Sequence, residues 1–290
     1  MAAFEITGYR TLSELEEGWP RLSGRLGFIA GGTDFINRLR QRGVEWDVVV
    51  DLSQTTDLRY IREAEGWIRI GAGVTFTEIA ESPLLREKAV CLAQAAAEVG
   101  SVQIRNRATM AGNVAGGSPA ADSLPPLTVL RAVARVLGRV NGRIVRQPDR
   151  AIDTCGQTLQ PDELIVEIRF PVPGPSTRTG FRKLGARTRV SIARISMAMS
   201  ADYDAEAGRI RSGSIALGAL AEEPLCPDDL RDFLQGRSVD HVFAMELCDR
   251  LTGLVDGAIP DRPSRPYKRL AVRGLALDLL TNLFRRPFDL

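Results

Sequence analysis

The sequence predicts an α+β chain of two domains, on three observations. Two glycine-rich turns, Gly31-Gly32-Thr33-Asp34 and the stretch around Thr109-Met110-Ala111-Gly112-Asn113, each stand between runs of apolar residues. A Pro/Gly-rich break, Pro171-Val172-Pro173-Gly174-Pro175-Ser176, reads as a linker. Beyond it come three segments of strand character and then apolar helical stripes. The boundary falls at the break, giving domains 1–173 and 174–290, the first in two parts of about 1–55 and 56–173.

The elements follow in chain order. Leu12, Leu15 and Trp19 share one helical face, Phe28-Ile29 is a strand that ends in the first glycine turn, and Val48-Val49-Val50 is short enough for a buried strand. Apolar residues at helical spacing follow the turn from Phe35 to Leu39. Trp67 to Gly71 alternates and predicts a strand; Thr75 with Glu78 has the spacing of a capping box, and Pro83 interrupts the helix it opens. Leu85, Ala89, Leu92, Ala96 and Val99 predict one helix over 84–99, stopped by Gly100. Asn141-Gly142 between two apolar runs is a strong hairpin signal, and Leu164 to Phe170 is a further strand.

In the second domain, Gly180 to Leu184, Ile192 to Tyr203 and Ile210 to Leu220 predict a three-stranded antiparallel sheet with a turn at 204–208. Helices follow, one through Val239 to Leu251 and the last from Tyr267 to Phe284, where Leu270, Val272, Leu275, Leu277, Leu280 and Leu283 are apolar.

Composition narrows the chemistry. With 38 basic and 36 acidic side chains the net charge is +2, which gives no electrostatic case for nucleic acid or membrane binding. No apolar run reaches the roughly 20 residues of a membrane span, and Met-Ala-Ala-Phe-Glu-Ile lacks the form of a signal peptide, so a cytoplasmic location is expected. Cys91, Cys155, Cys226 and Cys248 form no close pair, against an iron–sulfur cluster or structural zinc. His241 is the only histidine and lies in a helical run, against triad chemistry. A borrowed cofactor is expected to carry the chemistry.

Glycine allows close backbone approach, and successive exposed N–H groups attract anions. Strand, glycine turn, helix is the order that aims a helix start at a phosphate, and two such loops suit a diphosphate. The spacing is neither that of the dinucleotide fingerprint nor that of a P-loop. Arg105 and Arg107 beside the second loop can neutralise a diphosphate or simply be solvated.

Ala30-Gly31-Gly32-Thr33-Asp34, Thr109-Met110-Ala111-Gly112-Asn113 and Ser118-Pro119-Ala120-Ala121-Asp122 together resemble the flavin-nucleotide loops of the FAD-binding medium subunits of molybdenum hydroxylases, the xanthine and carbon monoxide dehydrogenase type. The resemblance covers essentially the whole chain. It implies a two-subdomain FAD-binding fold of the vanillyl-alcohol-oxidase (PCMH-like) type, followed by a C-terminal α+β domain with the three-stranded sheet. It also implies that Ile29, Ala30, Gly31, Gly32, Thr33, Asp34 and Phe35, with Thr109, Ala111, Gly112 and Asn113, hold the diphosphate of a noncovalent FAD. Thr33 and Thr109 would add hydroxyl contacts. It places Asp122 on sugar or ribityl hydroxyls, Ile165 against the adenine and Lys183, in Phe181-Arg182-Lys183-Leu184-Gly185-Ala186-Arg187, near the nucleotide. By their residue types alone, Asp122 also suits a helix cap, Ile165 a core position and Lys183 a solvated surface.

One departure stands in the second loop, where Ala111 replaces the first of two adjacent glycines; its methyl is tolerable at negative φ and obstructive at positive φ. The resemblance implies an electron-transfer subunit, fed by [2Fe–2S] clusters of a small partner and working with a molybdopterin-binding large partner. It would deliver electrons to NAD⁺ or another acceptor. No side chain here need act as a general acid or base. A stand-alone FAD-dependent reductase or oxidase is the main alternative, a nucleotide-binding module without redox function a lesser one.

Overall fold

The structure, a computed structural model, describes residues 4–187 and 190–288. In chain order the first elements are β1 (Glu5–Gly8), α1 (Leu12–Gly18), β2 (Leu26–Ile29), α2 (Phe35–Arg42), β3 (Val48–Asp51), β4 (Ile61–Ala64), β5 (Trp67–Gly71) and α3 (Phe76–Glu81). Next come α4 (Pro83–Lys88), α5 (Val90–Glu98), α6 (Val102–Arg105), α7 (Met110–Ala115), α8 (Leu124–Val129), β6 (Val133–Val140), β7 (Arg143–Arg146) and β8 (Arg150–Ala151). The chain continues through α9 (Ile152–Thr158), β9 (Glu163–Pro171), β10 (Thr177–Gly185), β11 (Ala193–Asp204), β12 (Arg209–Gly218), α10 (Asp228–Leu234), α11 (His241–Ala258) and α12 (Arg265–Phe284).

Two compact units result. The first gathers Met1–Ile79, Val102–Gly117 and Ala132–Val172; the second gathers Ala80–Ser101, Ser118–Arg131 and Pro173–Leu290. The chain thus enters the second unit twice before the proline-rich segment, and the sequence shows neither passage, because α5 and α8 are as apolar as core helices of either unit. In the second unit the backbone N–H of Phe181 on β10 donates to the Gln94 side chain at 2.8 Å, which ties α5 to the sheet.

The first unit holds two sheets. A parallel one runs β1-β3-β2 and is apolar where it is central: Val48, Val49 and Val50 are buried. The larger runs β4-β5-β9-β6-β7 with β8 on β6, its named pairs antiparallel. The hairpin between β6 and β7 turns through Asn141 (φ 50°) and Gly142 (φ 71°), the two left-handed residues a tight primed turn requires. Thr75 and Glu78 form the expected capping box: the Glu78 Oε2 accepts from the Thr75 N–H at 2.9 Å, and the Thr75 hydroxyl accepts from the Glu78 N–H at 3.4 Å.

The second unit packs α10, α11 and α12 with the antiparallel sheet β10-β11-β12. Its core runs through Met197, Met199, Ile215, Phe243, Leu251, Val272 and Leu280, all buried. The helix expected over 84–99 is broken at Ala89, whose backbone (φ −138°, ψ 57°) is not helical. No proline or glycine causes the break. The Cys91 N–H, two residues beyond, donates instead to the Thr179 hydroxyl on β10 at 3.2 Å, so α5 starts afresh where the sheet accepts it. Leu270, counted with the apolar stripe of α12, is 75% exposed, while Lys268 is buried with its Nζ on the Ala219 carbonyl at 2.7 Å.

The N-cap of α11 supplies a stability test. The Asp240 carboxylate accepts from the Phe243 N–H at 2.8 Å at the start of α11. Asp240→Ala is expected to cost about 1 kcal/mol and Asp240→Asn almost nothing. Thermal denaturation of the two variants checks it; equal losses would mean the capping bond is not what matters.

Candidate functional site

The first glycine turn is shaped by its neighbour. β2 ends at Ile29, whose carbonyl accepts from the Leu52 N–H at 2.8 Å. A Cβ on Gly31 would stand 2.9 Å from the Ala108 Cα and closer still to the Arg107 carbonyl oxygen, so only glycine lets this turn lie against the segment that leads into the second loop. Gly32 then takes φ +75°, and α2 begins: the Ile36 N–H donates to the Gly32 carbonyl at 3.0 Å and the Arg38 N–H to the Asp34 carbonyl at 2.9 Å.

The turn leaves donors unspent. Among the described residues no acceptor in the chain takes the backbone N–H groups of Gly32, Thr33, Asp34 or Phe35, and the Asp34 side chain at the N-cap position of α2 makes no capping bond. Four successive free N–H groups beside a left-handed glycine form a concavity of partial positive charge.

The second loop is a helix start. Thr109 pairs with Thr75 in an isolated bridge, and its hydroxyl accepts from the Gly112 N–H at 3.1 Å as the N-cap of α7. The Phe76 N–H donates to the Ala108 carbonyl at 3.0 Å and the Met110 N–H to the Val74 carbonyl at 3.3 Å, pinning the loop from behind. Thr109 keeps its own O–H to donate. Ala111 is helical, not left-handed, and its methyl is buried, so the extra carbon is accommodated inward. Gly112 lies exposed, and a Cβ there would meet only the Thr109 Oγ1, at 3.0 Å. Asn113 follows within α7, its N–H on the Thr109 carbonyl at 3.0 Å. Arg107 is exposed beside this loop, and Arg105 ends α6.

The second unit contributes a different arrangement. Lys183 on β10 places its Nζ 2.6 Å from the Asp122 Oδ2 and 3.0 Å from the Glu98 carbonyl, with side-chain exposures of 5% for Lys183 and 8% for Asp122. Lys183 is therefore no solvated surface lysine; it orients the carboxylate. The N-cap position of α8 belongs to Ser123 and not to Asp122. The second oxygen of Asp122, Oδ1, is buried and meets no hydrogen-bond partner among the described residues. Burial pushes the Asp122 carboxyl up to about 6, against the pull of Lys183 and with a small push from the Glu98 charge.

Ile165 is buried in β9 opposite Val136, where the β6–β9 register shifts, so its side chain belongs to the core and its backbone is what it has to offer a ligand. The Lys183–Glu98 contact was not foreseeable from local sequence, since 85 residues separate the partners. Among the described residues no group of three His, Cys, Asp or Glu side chains is placed to hold a metal ion, and no helix is long and apolar enough to cross a membrane.

Comparison with known proteins gives the family. The family model described as the FAD binding domain in molybdopterin dehydrogenase matches residues 4–173, and that of the CO dehydrogenase flavoprotein C-terminal domain matches residues 181–283. The nicotinate dehydrogenase FAD-subunit of Eubacterium barkeri is 32% identical over 263 residues, 88% of this chain and 87% of that one. The putative xanthine dehydrogenase FAD-binding subunit of Escherichia coli K12 is 30% identical over 200 residues, 68% of each. A solved structure of the carbon monoxide dehydrogenase of Hydrogenophaga pseudoflava superimposes with a TM-score of 0.84 at 21% identity, over 99% of both chains.

Proposed function

Since this chain belongs to the FAD-binding medium subunits of the molybdenum hydroxylases, oxidoreductase components, we propose that it is the electron exit of such an enzyme. In this reading it receives electrons from [2Fe–2S] clusters of a small partner subunit, while a large partner with molybdopterin oxidises the organic substrate. It passes them to NAD⁺ or another acceptor. Bound FAD supplies the ability to exchange electrons singly or in pairs.

The observation that carries the reading is the row of free N–H groups from Gly32 to Phe35 beside the Thr109 loop. The residues from Ile29 to Phe35 and from Thr109 to Asn113 would hold the diphosphate, the first loop by backbone donation from Gly32 to Phe35 and the second by close approach of its backbone at Gly112, since the N–H groups of Met110, Gly112 and Asn113 are bonded within the chain. The Thr33 and Thr109 hydroxyls can each donate one bond more. In the second unit, the Asp122 Oδ1 would accept from a sugar or ribityl hydroxyl, which answers its lack of a partner, and Lys183 would hold the carboxylate in place. Ile165 would present backbone to the adenine.

Two measurements test this. Acid treatment of the purified protein should release one FAD per chain; a chromophore that stays covalently attached, FMN in its place, or no flavin under gentle preparation each counts against the reading. Gly112→Val separates ligand from fold. Its Cβ meets little in the chain, so the variant should melt like the parent while losing flavin at least tenfold more readily. A variant that keeps its flavin would remove the Thr109 loop from the site. Co-expressed with an iron–sulfur and a molybdopterin subunit, the chain should purify as a stoichiometric complex.

A further inference from the structure

The second unit contains a second buried lysine that the nucleotide reading leaves without a role. Lys268 stands near the start of α12, 8% exposed, and its Nζ donates to the Ala219 carbonyl at 2.7 Å. Among the described residues no carboxylate pairs with it. Burial, and after it the charges of Arg262 and Arg194, push its pKa down, so the ammonium is held here against its solvation. A buried cation that meets only a carbonyl is a costly way to pack a helix.

What Lys268 grips is strained. Ala219, just past the end of β12, stands in the left-handed region at φ 63°, where a side chain is disfavoured and glycine is the usual residue. Both of its backbone polar groups are tied: the carbonyl takes the Lys268 Nζ, and the N–H donates to the Pro119 carbonyl at 3.1 Å. Leu217 and Leu225 close the turn, each donating its N–H to the other's carbonyl at 2.9 Å. A Cβ on Gly218 would stand 2.8 Å from the Pro125 Cγ, so the end of β12 lies tight against α8. Strain of this kind persists only where the surroundings over-determine it.

Pro119 opens the loop that carries Asp122. The Ala121 N–H returns to the Ser118 carbonyl at 3.0 Å and the Leu124 N–H to the Ala121 carbonyl at 3.2 Å, so Ser118 to Leu124 is one compact piece of backbone. Lys183 fixes Asp122 by its Oδ2, but a carboxylate gripped at one oxygen still moves with the main chain beneath it. We propose that Lys268 is a positioning residue for the nucleotide site. By holding Ala219 in its left-handed turn it fixes Pro119, and so sets the backbone from which Asp122 presents its unpartnered Oδ1. The inference rests on the reading of Asp122 as a contact of FAD. Lys183 orients the side chain and Lys268 the loop. A binding group must be held to within about half an ångström, which a single tether does not ensure.

Two substitutions separate the tether from packing. Lys268→Met keeps the length of the side chain and removes the donor, and Ala219→Gly lets the turn stand without a clamp, since glycine adopts positive φ freely. FAD is titrated into the apoprotein of the full chain, and the thermal midpoint of each variant is read alongside. Lys268→Met is expected to bind FAD at least tenfold more weakly with a midpoint close to the parent's. Lys268→Met/Ala219→Gly should recover affinity to within threefold, a rescue that lost helix packing would not allow. Ala219→Gly alone should bind FAD like the parent; a tenfold loss there would mean that the clamp does not hold the turn. Should Lys268→Met not fold, the double variant still decides: affinity near the parent's supports the tether, and a tenfold loss or a failure to fold overturns it. Lys268→Met that binds FAD like the parent, while Asp122→Asn alters affinity or its pH dependence, overturns the role of Lys268 alone. Asp122→Asn with the parent's affinity and pH dependence overturns the Asp122 contact and this inference with it.

Discussion

Gly31→Ala is expected to yield a protein that folds poorly and carries almost no flavin. The added carbon would overlap the Arg107 carbonyl and crowd the Ala108 Cα at 2.9 Å, both of them backbone that no rotamer change can move. Relief requires the first loop to move away from the segment that leads to Thr109. Overpacking of this kind costs on the order of 1–3 kcal/mol or more. The larger loss falls on the ligand, because backbone donors misplaced by about an ångström no longer converge on a phosphate. Gly32→Ala makes a milder comparison: its backbone sits at φ +75° with the nearest atom, the Ile29 Cδ1, at 3.3 Å, so strain of about 1 kcal/mol is expected without a collision. Flavin absorbance per protein and the thermal midpoint decide the matter. A Gly31→Ala protein with full flavin and the parent's midpoint would mean that the two loops do not pack as described.

The contrast between these glycines also shows what sequence can reveal. Local signals carry far: the Thr75–Glu78 cap, the Asn141-Gly142 turn and the Asp204 to Gly208 turn are each written within a few residues, and each forms. The glycine-rich character of 31–32 is equally plain, but its reasons differ at the two positions. Gly32 needs its left-handed backbone, a local matter, whereas Gly31 is forced by a carbonyl 76 positions along the chain, taking Arg107 from Gly31. Ala89 illustrates the opposite failure. The apolar stripe runs straight through it, and the helix breaks because Thr179 supplies an acceptor to Cys91. Arg62, Arg69 and Arg169 likewise become neighbours only through strand register. Lys183, whose residue type alone suits a solvated surface as well as a place near the nucleotide, is held between the Asp122 carboxylate and the Glu98 carbonyl, partners far off in sequence.

Flavin affinity is expected to rise with pH through about 6, and Asp122→Asn is expected to flatten that dependence. Burial holds the Asp122 carboxyl at about 6 in the folded chain, above the ordinary 3.8, so below pH 6 the group is mostly protonated. Between roughly 3.8 and 6 the folded chain binds this proton more tightly than the unfolded one, and the contribution of Asp122 to stability falls as pH rises. Ligand binding runs the other way. A hydroxyl donating to Oδ1 forms a charge-assisted bond with the carboxylate, roughly twice as strong as with the neutral acid, so binding favours release of the proton. From pH 7 to pH 5 the affinity should fall on the order of tenfold, the equivalent of about one pKa unit of preference for the ionised form. Asp122→Asn removes the titration while retaining an acceptor. Asp122→Ala leaves the Lys183 ammonium buried with only the Glu98 carbonyl, at a cost of about 3–5 kcal/mol in stability. Titrating FAD into the apoprotein from pH 5 to 8, read by flavin fluorescence, gives the slopes. The same pH slope in Asp122→Asn as in the parent would place the titrating group elsewhere and take Asp122 out of contact with the nucleotide.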